Sequence, residues 1–540
     1  MAHNLNSTQL HKLCLAHTQY PKPTGFNPSY GTAGFRSLAE RLPCTVYRCG
    51  LLMAARSMAV GGTTGVVVTA SHNPAQDNGV KLVEPSGYML QQTWEAHANR
   101  LAQCDDDASL QSCLQDIFTS EAIAAGAPAR VLLACDSRPS SPALLAAAAA
   151  GVQALGGVAV DCGLLTTPQL HWQLRRLNQG LPWALEYYFT TMAGAYQQLV
   201  AGTQPLGQGL IVDCANGIGA THLQTLSQHL QQSGFVMTAK CTGDGILNSS
   251  CGADFIQKER QMPHTFDQVP QGSRCASLDG DADRLVYFTQ QDGTFQLFDG
   301  DKIAVLAALL VRDILNDLQL PAESIKVGIV QTAYANGAST AFMRNNLSIE
   351  VAVTPTGVKY LHEEAVNFDI GIYFEANGHG TVLFSDSLLD RLREIEGQSK
   401  AARDLIALSQ LINQAVGDAL SGVLMVEAAL RRRQWGLQEW GQLYRDLPSR
   451  QSKVLVADRS LISTINAETQ VAAPAGLQAL IDQAVAGIPA GRAFVRPSGT
   501  EDVVRVYAEA TTQEAADKLA LDVARQVHKV AGGVGEQPSS

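Results

Sequence analysis

The sequence predicts a multidomain α/β protein, on three observations. Short apolar, β-branched runs alternate with stretches of helical periodicity along most of the chain. The 540 residues suffice for roughly three or four domains of about 150 residues each. Polar motifs stand at the carboxyl ends of several apolar runs, where open α/β sheets present their ligands.

Composition narrows the class. A hydrophobic share of 46% and a charged share of 16% describe a soluble globular protein. The net charge of −11 leaves no broad basic face, which argues against a nucleic-acid partner and makes any phosphate site a local basic cluster. Eleven cysteines lie between Cys14 and Cys275 without a Cys-x-x-Cys pair, which supports neither zinc nor a thioredoxin-like motif and suggests reduced thiols. The start of the chain, with Asn4, Asn6, His11 and Lys12, lacks a signal-peptide core. The uncharged run Ala143–Val160 reads as a helix stopped at Gly156-Gly157 and followed by a strand, not as a membrane span. A cytoplasmic protein without a membrane partner is expected.

Along the chain, Val66-Val67-Val68 is an interior strand that displays Ser71 at its end, in Thr69-Ala70-Ser71-His72-Asn73-Pro74. Alone, that serine is most simply a turn residue bonding its own loop. Lys81 follows the loop Asp77-Asn78-Gly79 and can return a cation toward it. In an extended segment His72 points away from Ser71, toward the ligands of the site rather than serving as its base. Val131-Leu132-Leu133-Ala134 is a strand ending at Asp136-Ser137-Arg138, with a helix capped near Ser140-Ser141-Pro142. Leu210–Asp213, Lys326–Val330 and Ile370–Phe374 are further strands, the last running into Glu375-Ala376-Asn377-Gly378-His379-Gly380. Lys400 to Trp440 reads as helical and polar, with Arg431-Arg432-Arg433 solvated at a helix end. The last hundred residues read as a small α+β module. Its strands are at Val454–Val456 and Val503–Val506, and its helix opens with a capping box from Thr511 to Glu514. Leu519, Val523, Val527 and Val530 line one face of that helix.

Asp279, Asp281 and Asp283 alternate between two apolar strands, Cys275–Leu278 and Leu285–Phe288. Packed there, carboxylates repel one another unless a cation is present. An EF-hand is excluded, because Arg284 and Gln290 stand where its glycine and glutamate belong. Mg²⁺ takes a few carboxylates together with a phosphate oxygen, which suits this segment. Arg496-Pro497-Ser498-Gly499-Thr500 offers a guanidinium fork, hydroxyls and backbone N–H groups to a phosphate. Arg505 reads equally well as a strand residue with a cross-strand carboxylate. Glu375 and Asn377, two residues apart, can face one edge of a sugar.

In this order the motifs resemble the α-D-phosphohexomutase family, most closely its eukaryotic phosphoacetylglucosamine branch. The resemblance runs from Gly31-Thr32-Ala33-Gly34-Phe35-Arg36 to Arg505-Val506-Tyr507-Ala508-Glu509-Ala510. It implies three mixed α/β domains plus a smaller C-terminal α+β domain around a central cleft. The expected divisions are a phosphoserine domain (1–180), a metal-binding domain (181–297), a sugar-binding domain (298–435) and a phosphate-binding domain (436–540). It implies that Ser71 carries the phosphoryl group and joins Asp279, Asp281 and Asp283 around one Mg²⁺ per chain. Lys81 becomes the general acid/base, which requires Arg36 and Arg284 to lower its pKa. Arg36, His72, His379 and Arg284 complete the charged surroundings. Glu375, Asn377 and Gly378 are implied to hold sugar hydroxyls, with Thr356 and Gly357 in a second sugar loop. Arg496, Ser498, Gly499, Thr500 and Arg505 would grip the non-reacting phosphate.

The implied reaction interconverts N-acetylglucosamine 6-phosphate and 1-phosphate through a 1,6-bisphosphate, which also primes Ser71, and supplies UDP-N-acetylglucosamine synthesis. The phosphosugar is the one partner implied; a monomer is expected and no obligate protein partner. Asn377 stands where phosphoglucomutases and phosphomannomutases usually have serine, and Cys135-Asp136-Ser137-Arg138 follows Ser71 rather than preceding it. Both favour the acetylglucosamine branch over a mutase for glucose, mannose or glucosamine phosphates. A phosphoserine-dependent phosphatase would need no second phosphate site, and an inactive binding protein would not keep Ser71, Lys81 and the three aspartates. Cys135 and Tyr360 depart from the arginine and histidine usual in close relatives.

Overall fold

The computed structural model describes residues 19–124, 126–318, 324–498 and 501–539. The chain forms two compact units, one running up to Asp299 with Asn377–Val382 and Leu392–Gly436, the other comprising Gly300–Ala376, Leu383–Arg391 and the chain from Leu437.

The first unit holds two five-stranded sheets. In the first, β1 (Phe35–Leu38), β2 (Thr64–Val68), β3 (Asp77–Val83), β4 (Arg130–Cys135) and β5 (Val158–Leu164) lie in the order β1-β3-β2-β4-β5. β2 runs parallel to β4 and antiparallel to β3. Val66 and Val68 pack into one core with helices Pro43–Val60 and Ser141–Ala154, while Val67 packs into another with helix Thr167–Asn178. A strand buried on both faces reads as a continuous apolar run, which is why this one is legible. Each such valine contributes roughly 1.5–3 kcal/mol of burial. Ser140 begins its helix without a side-chain cap; its hydroxyl accepts from Asn78 Nδ2 instead, at 2.8 Å.

The second sheet comprises β6 (Leu210–Asp213), β7 (Met237–Lys240), β8 (Cys275–Leu278), β9 (Leu285–Gln291) and β10 (Thr294–Phe298), in the order β10-β9-β8-β6-β7. β8 and β9 form an antiparallel hairpin whose turn is the aspartate segment. Asp213, close to Cys241 and Cys251, has both oxygens bonded: Ala215 N–H and Gly252 N–H donate to it, as does Ser277 Oγ. It is a structural acid tying β6 to β8.

The expected polar character of residues 400–440 is overturned. Helix Ala419–Arg433 is buried through Arg431. Arg431 donates to Ser233 O and Thr203 O, and Arg432 to Asp404 Oδ2 and Leu199 O. Arg431 and Arg432 are therefore internal anchors. The chain of the same unit covers them, which local charge patterning does not reveal.

In the second unit, β11 (Val327–Thr332), β12 (Glu350–Thr354) and β13 (Ile370–Phe374) run parallel in the order β12-β11-β13. The C-terminal module is a three-stranded antiparallel sheet with Val503–Glu509 between Ser449–Leu455 and Arg492–Pro497, backed by helix Gln513–Val530. That helix is capped by Thr512, whose side chain accepts from Ala515 N–H, one residue later than the expected box. Glu509, 2% exposed at its side chain, receives Arg492 through both oxygens at 2.9 and 3.1 Å, with Tyr507 OH and Gly337 N–H on the same carboxylate. Arg492→Met leaves that buried charge without its cation and should cost about 3 kcal/mol. Urea unfolding measures it; a loss below about 1 kcal/mol would mean that Glu509 is compensated by its remaining donors.

Among the described residues no helix is long and apolar enough to cross a membrane.

Candidate active site

β2 ends at Val68, and Ser71 stands three residues further on in a turn, with φ +50°. This corrects the expectation of a serine at the strand end in extended backbone. A left-handed conformation costs a residue with a Cβ roughly 1–2 kcal/mol, so the surroundings must enforce it. Thr69 Oγ1 accepts from Ser71 N–H at 3.0 Å and donates to Asp136 Oδ2 at 2.8 Å. The Ser71 hydroxyl donates to Asp281 Oδ2 at 3.0 Å and accepts from Arg36 Nη2 at 3.1 Å.

Asp279, Asp281 and Asp283 are buried, and one oxygen from each lies within 4.8 Å of the others. Asp279 Oδ1 accepts from the N–H groups of Asp283 and Arg284, which folds the turn onto itself. Asp281 Oδ2 accepts from three donors: Ser71 Oγ, Lys81 Nζ at 2.8 Å and Thr167 Oγ1 at 2.6 Å. Asp279 Oδ2, Asp281 Oδ1 and Asp283 Oδ1 are buried with no hydrogen bond among the described residues, the last beside His379 Nδ1. One such carboxylate oxygen from each aspartate, next to a serine hydroxyl, is the donor set of a hard divalent cation, so the residues fit Mg²⁺. Gly280 is required by close approach, because a Cβ there would stand 2.5 Å from Ser71 O.

Lys81, on β3, bonds Asp281 Oδ2 and Asp283 Oδ2 at 2.8 and 2.7 Å. Burial lowers its pKa, but the two carboxylates outweigh burial and raise it. The expected lowering by Arg36 and Arg284 is therefore overturned: Arg36 acts in that direction but loses to the carboxylates, while Arg284 pairs with Asp254. Burial followed by its two acidic neighbours pushes Asp279 well above the usual carboxylate range. Burial opposes ionisation of Asp281 and Asp283 as well, yet Lys81, and His379 for Asp283, hold both below that range. His379 Nδ1 lies 3.4 Å from Asp283 Oδ1. His72 turns to Asp254 at 4.0 Å rather than to the triad, and burial with Arg284 nearby pushes its pKa down to about 3. Gly378, at φ +87°, brings its carbonyl onto Leu285 N–H at 3.2 Å, and Asn377 Oδ1 accepts from His379 N–H at 2.9 Å.

The second unit carries a separate cluster. Arg505 lies opposite Lys453 on one side and Arg496 on the other, so its cross-strand partners are cations and the carboxylate reading fails. Like charges opposite one another are destabilising unless an anion lies among them. Arg496 Nε is 3.6 Å from Glu468 Oε1, and Glu468 Oε2 accepts from Thr356 N–H and Oγ1. Gly357 opens helix Val358–Ala365, and Glu375, half-buried, follows β13. Ser498 is buried; Gly499 and Thr500 lie outside the described residues. Cys135 is a buried core residue whose thiol is pushed up to about 11 by burial, and Tyr360 is exposed.

Sequence reasoning missed Thr167, Lys453, Arg138 and Asn248. Thr167 had a readable signal, the capping box Thr166-Thr167-Pro168-Gln169, which aims a helix start at Asp281. Arg138 stands in the Cys135-Asp136-Ser137-Arg138 segment, which the sequence marks by its order in the chain but not by its contact with the Ser71 turn, and Asn248 reaches that turn from a position remote in sequence.

Three family models match the chain: "Phosphoacetylglucosamine mutase AMG1, domain III" over residues 299–435, the phosphoglucomutase/phosphomannomutase C-terminal domain over 453–526, and its alpha/beta/alpha domain I over 46–107 and 112–184. Phosphoacetylglucosamine mutase of Oryza sativa subsp. japonica is 49% identical over 93% of this chain and 95% of its own. The crystal structure of Aspergillus fumigatus N-acetylphosphoglucosamine mutase with GlcNAc-6P and magnesium is 41% identical, with TM-score 0.92 over 97% of this chain and 100% of its own. A serine-to-alanine variant of that enzyme, in complex with glucose 1,6-bisphosphate, is 40% identical with TM-score 0.90 over 98% and 100%. With identity at this level over nearly the whole length, the chain belongs to the phosphoacetylglucosamine mutase family of the α-D-phosphohexomutase superfamily.

Proposed function

We infer that the protein is an isomerase that interconverts N-acetylglucosamine 6-phosphate and N-acetylglucosamine 1-phosphate through a phosphoserine at Ser71 and a sugar 1,6-bisphosphate. It would thereby supply UDP-N-acetylglucosamine synthesis. The observation that carries this is a serine hydroxyl shared by Arg36 and Asp281 beside three buried carboxylate oxygens without a hydrogen bond, in a chain of this family. Phosphorylated Ser71 gives its phosphoryl group to the free sugar hydroxyl, whose proton is balanced by the one gained by the departing Ser71 oxygen. Ser71 then recovers a phosphoryl group from the other end of the bisphosphate, as the sugar oxygen released there is protonated in turn. Arg36 is placed to stabilise charge on the group as it arrives or leaves. Ser71 points its proton at Asp281 Oδ2, the path by which that proton departs when the serine is phosphorylated again. Lys81, held protonated by two carboxylates, is the proton donor at the site. Asp279, Asp281, Asp283 and Ser71 would hold Mg²⁺, which supplies charge neutralisation to the transferring group when bound. The cationic row Lys453–Arg505–Arg496 serves the phosphate that does not react.

A ³¹P NMR time course tests the proposal, with N-acetylglucosamine 6-phosphate, Mg²⁺ and a trace of glucose 1,6-bisphosphate. Appearance of the 1-phosphate resonance without free phosphate supports it; inorganic phosphate alone would make the protein a phosphatase.

Asn377 gives a prediction on specificity. Asn377→Ser should reduce the preference for acetylated over plain hexose phosphate, measured as a kcat/KM ratio, by about tenfold. An unchanged ratio would leave Asn377 as a turn residue that serves its own loop, the His379 N–H group among its partners.

A further inference from the structure

We infer that Arg138 and Asn248 are positioning residues for phosphoryl transfer, fixing the carbonyls of the Ser71 turn and so the direction of the Ser71 hydroxyl; this rests on Ser71 being the phosphoryl carrier. The Arg138 side chain is 0% exposed. Its Nη1 donates to Pro74 O at 2.6 Å and Asp77 O at 2.8 Å, and its Nη2 to Ser71 O and Asn73 O, both at 2.9 Å. One guanidinium thus collects four carbonyls of one turn. Its Nε donates to Asp136 Oδ2 at 3.0 Å. Asp136 also receives Thr69 Oγ1, the atom that accepts from Ser71 N–H. The amide before Ser71 Cα and the carbonyl after it are therefore tied into a single network rooted in Asp136 and Arg138.

Asn248 closes the turn from the other sheet's segment. Its Nδ2 donates to Ser71 O at 2.9 Å and to Asn73 O at 3.1 Å, the same two carbonyls that Arg138 Nη2 holds. Asn248 is itself left-handed at φ +58°, with its N–H on Ala215 O at 2.9 Å. Two donors from different parts of the chain, converging on two carbonyls, enforce the φ of +50° that serine would not adopt alone. Carbonyl oxygens turned onto Arg138 are also kept from facing an anion on the serine. A planar fork with five donors suits this task; a lysine keeps the charge but cannot span four acceptors.

The experiment compares Asn248→Ala, Arg138→Lys and the double variant. Each is mixed with glucose 1,6-bisphosphate, and the rate at which Ser71 gains one phosphoryl mass is followed; kcat and KM for N-acetylglucosamine 6-phosphate are measured beside it. For Asn248→Ala, kcat and the phosphorylation rate should both fall about tenfold with KM within about twofold, because the misplaced group acts in transfer and not in binding. Arg138→Lys should lose about a hundredfold, and adding Asn248→Ala to it about threefold more at most, because both act on the same carbonyls. A wild-type phosphorylation rate in Asn248→Ala, a loss confined to KM, or effects that multiply in the double variant would overturn the assignment. If Arg138→Lys does not fold, Asn248→Ala decides alone. A wild-type protein that gains no phosphoryl mass on Ser71 overturns the carrier reading and the positioning with it. A wild-type protein that gains one at the same rate as Asn248→Ala overturns the positioning only.

Discussion

Ser71→Ala should lower turnover by about 10⁴-fold or more while leaving the fold in place. The loss is large because no other hydroxyl is bonded to both Asp281 and Arg36 among the described residues. The effect on stability is small because the hydroxyl contributes only those two bonds, each worth about 1 kcal/mol net. The turn that holds residue 71 is built from the backbone contacts of Thr69, Arg138 and Asn248, which alanine keeps. The ³¹P assay and a thermal melt measure the two quantities. Residual turnover above about one percent of wild type would remove Ser71 from the chemistry.

The second large effect is expected at Asp281. Asp281→Asn should lower kcat by about 10³-fold and raise the Mg²⁺ concentration for half-activation at least tenfold. One oxygen of this carboxylate is saturated by Ser71, Lys81 and Thr167, and the other is orphaned, so an amide replaces acceptors with donors on one side or the other. Stability should fall together with activity. Lys81 holds Asp281 below the usual carboxylate range despite burial and the neighbouring carboxylates, so the fold favours its charge, and in excess EDTA the variant should melt below wild type. A titration of activity with Mg²⁺ and melts in EDTA decide it. An unchanged half-activation concentration would remove Asp281 from the metal ligands.

The legible parts of the molecule are those whose physics is local. Val66–Val68, Leu210–Asp213 and Ile370–Phe374 announce themselves because a strand covered on both faces must be apolar without interruption. The alternating aspartates are legible because a buried hairpin turn has no other use for three carboxylates. What escaped is set by distant chain. The left-handed Ser71 follows from Arg138 and Asn248, which stand 67 and 177 residues away. The raised pKa of Lys81 follows from its landing between two aspartates some 200 residues downstream. Arg431 and Arg432 carry the signature of a solvated helix end and are instead covered by Thr203, Ser233 and Leu199. Thr512 rather than Thr511 caps the last helix, the one-residue ambiguity common to helix ends.

The triple occupancy of Asp281 Oδ2 has a consequence for how the protein registers its own chemical state. A free Ser71 supplies one of the three hydrogens on that oxygen; an esterified Ser71 has none to supply. Loading the serine therefore withdraws one donor from a buried carboxylate that keeps Lys81 and Thr167. Asp281 Oδ2 thus has three donors in the empty form and two in the loaded one, with its ion pair to Lys81 in both.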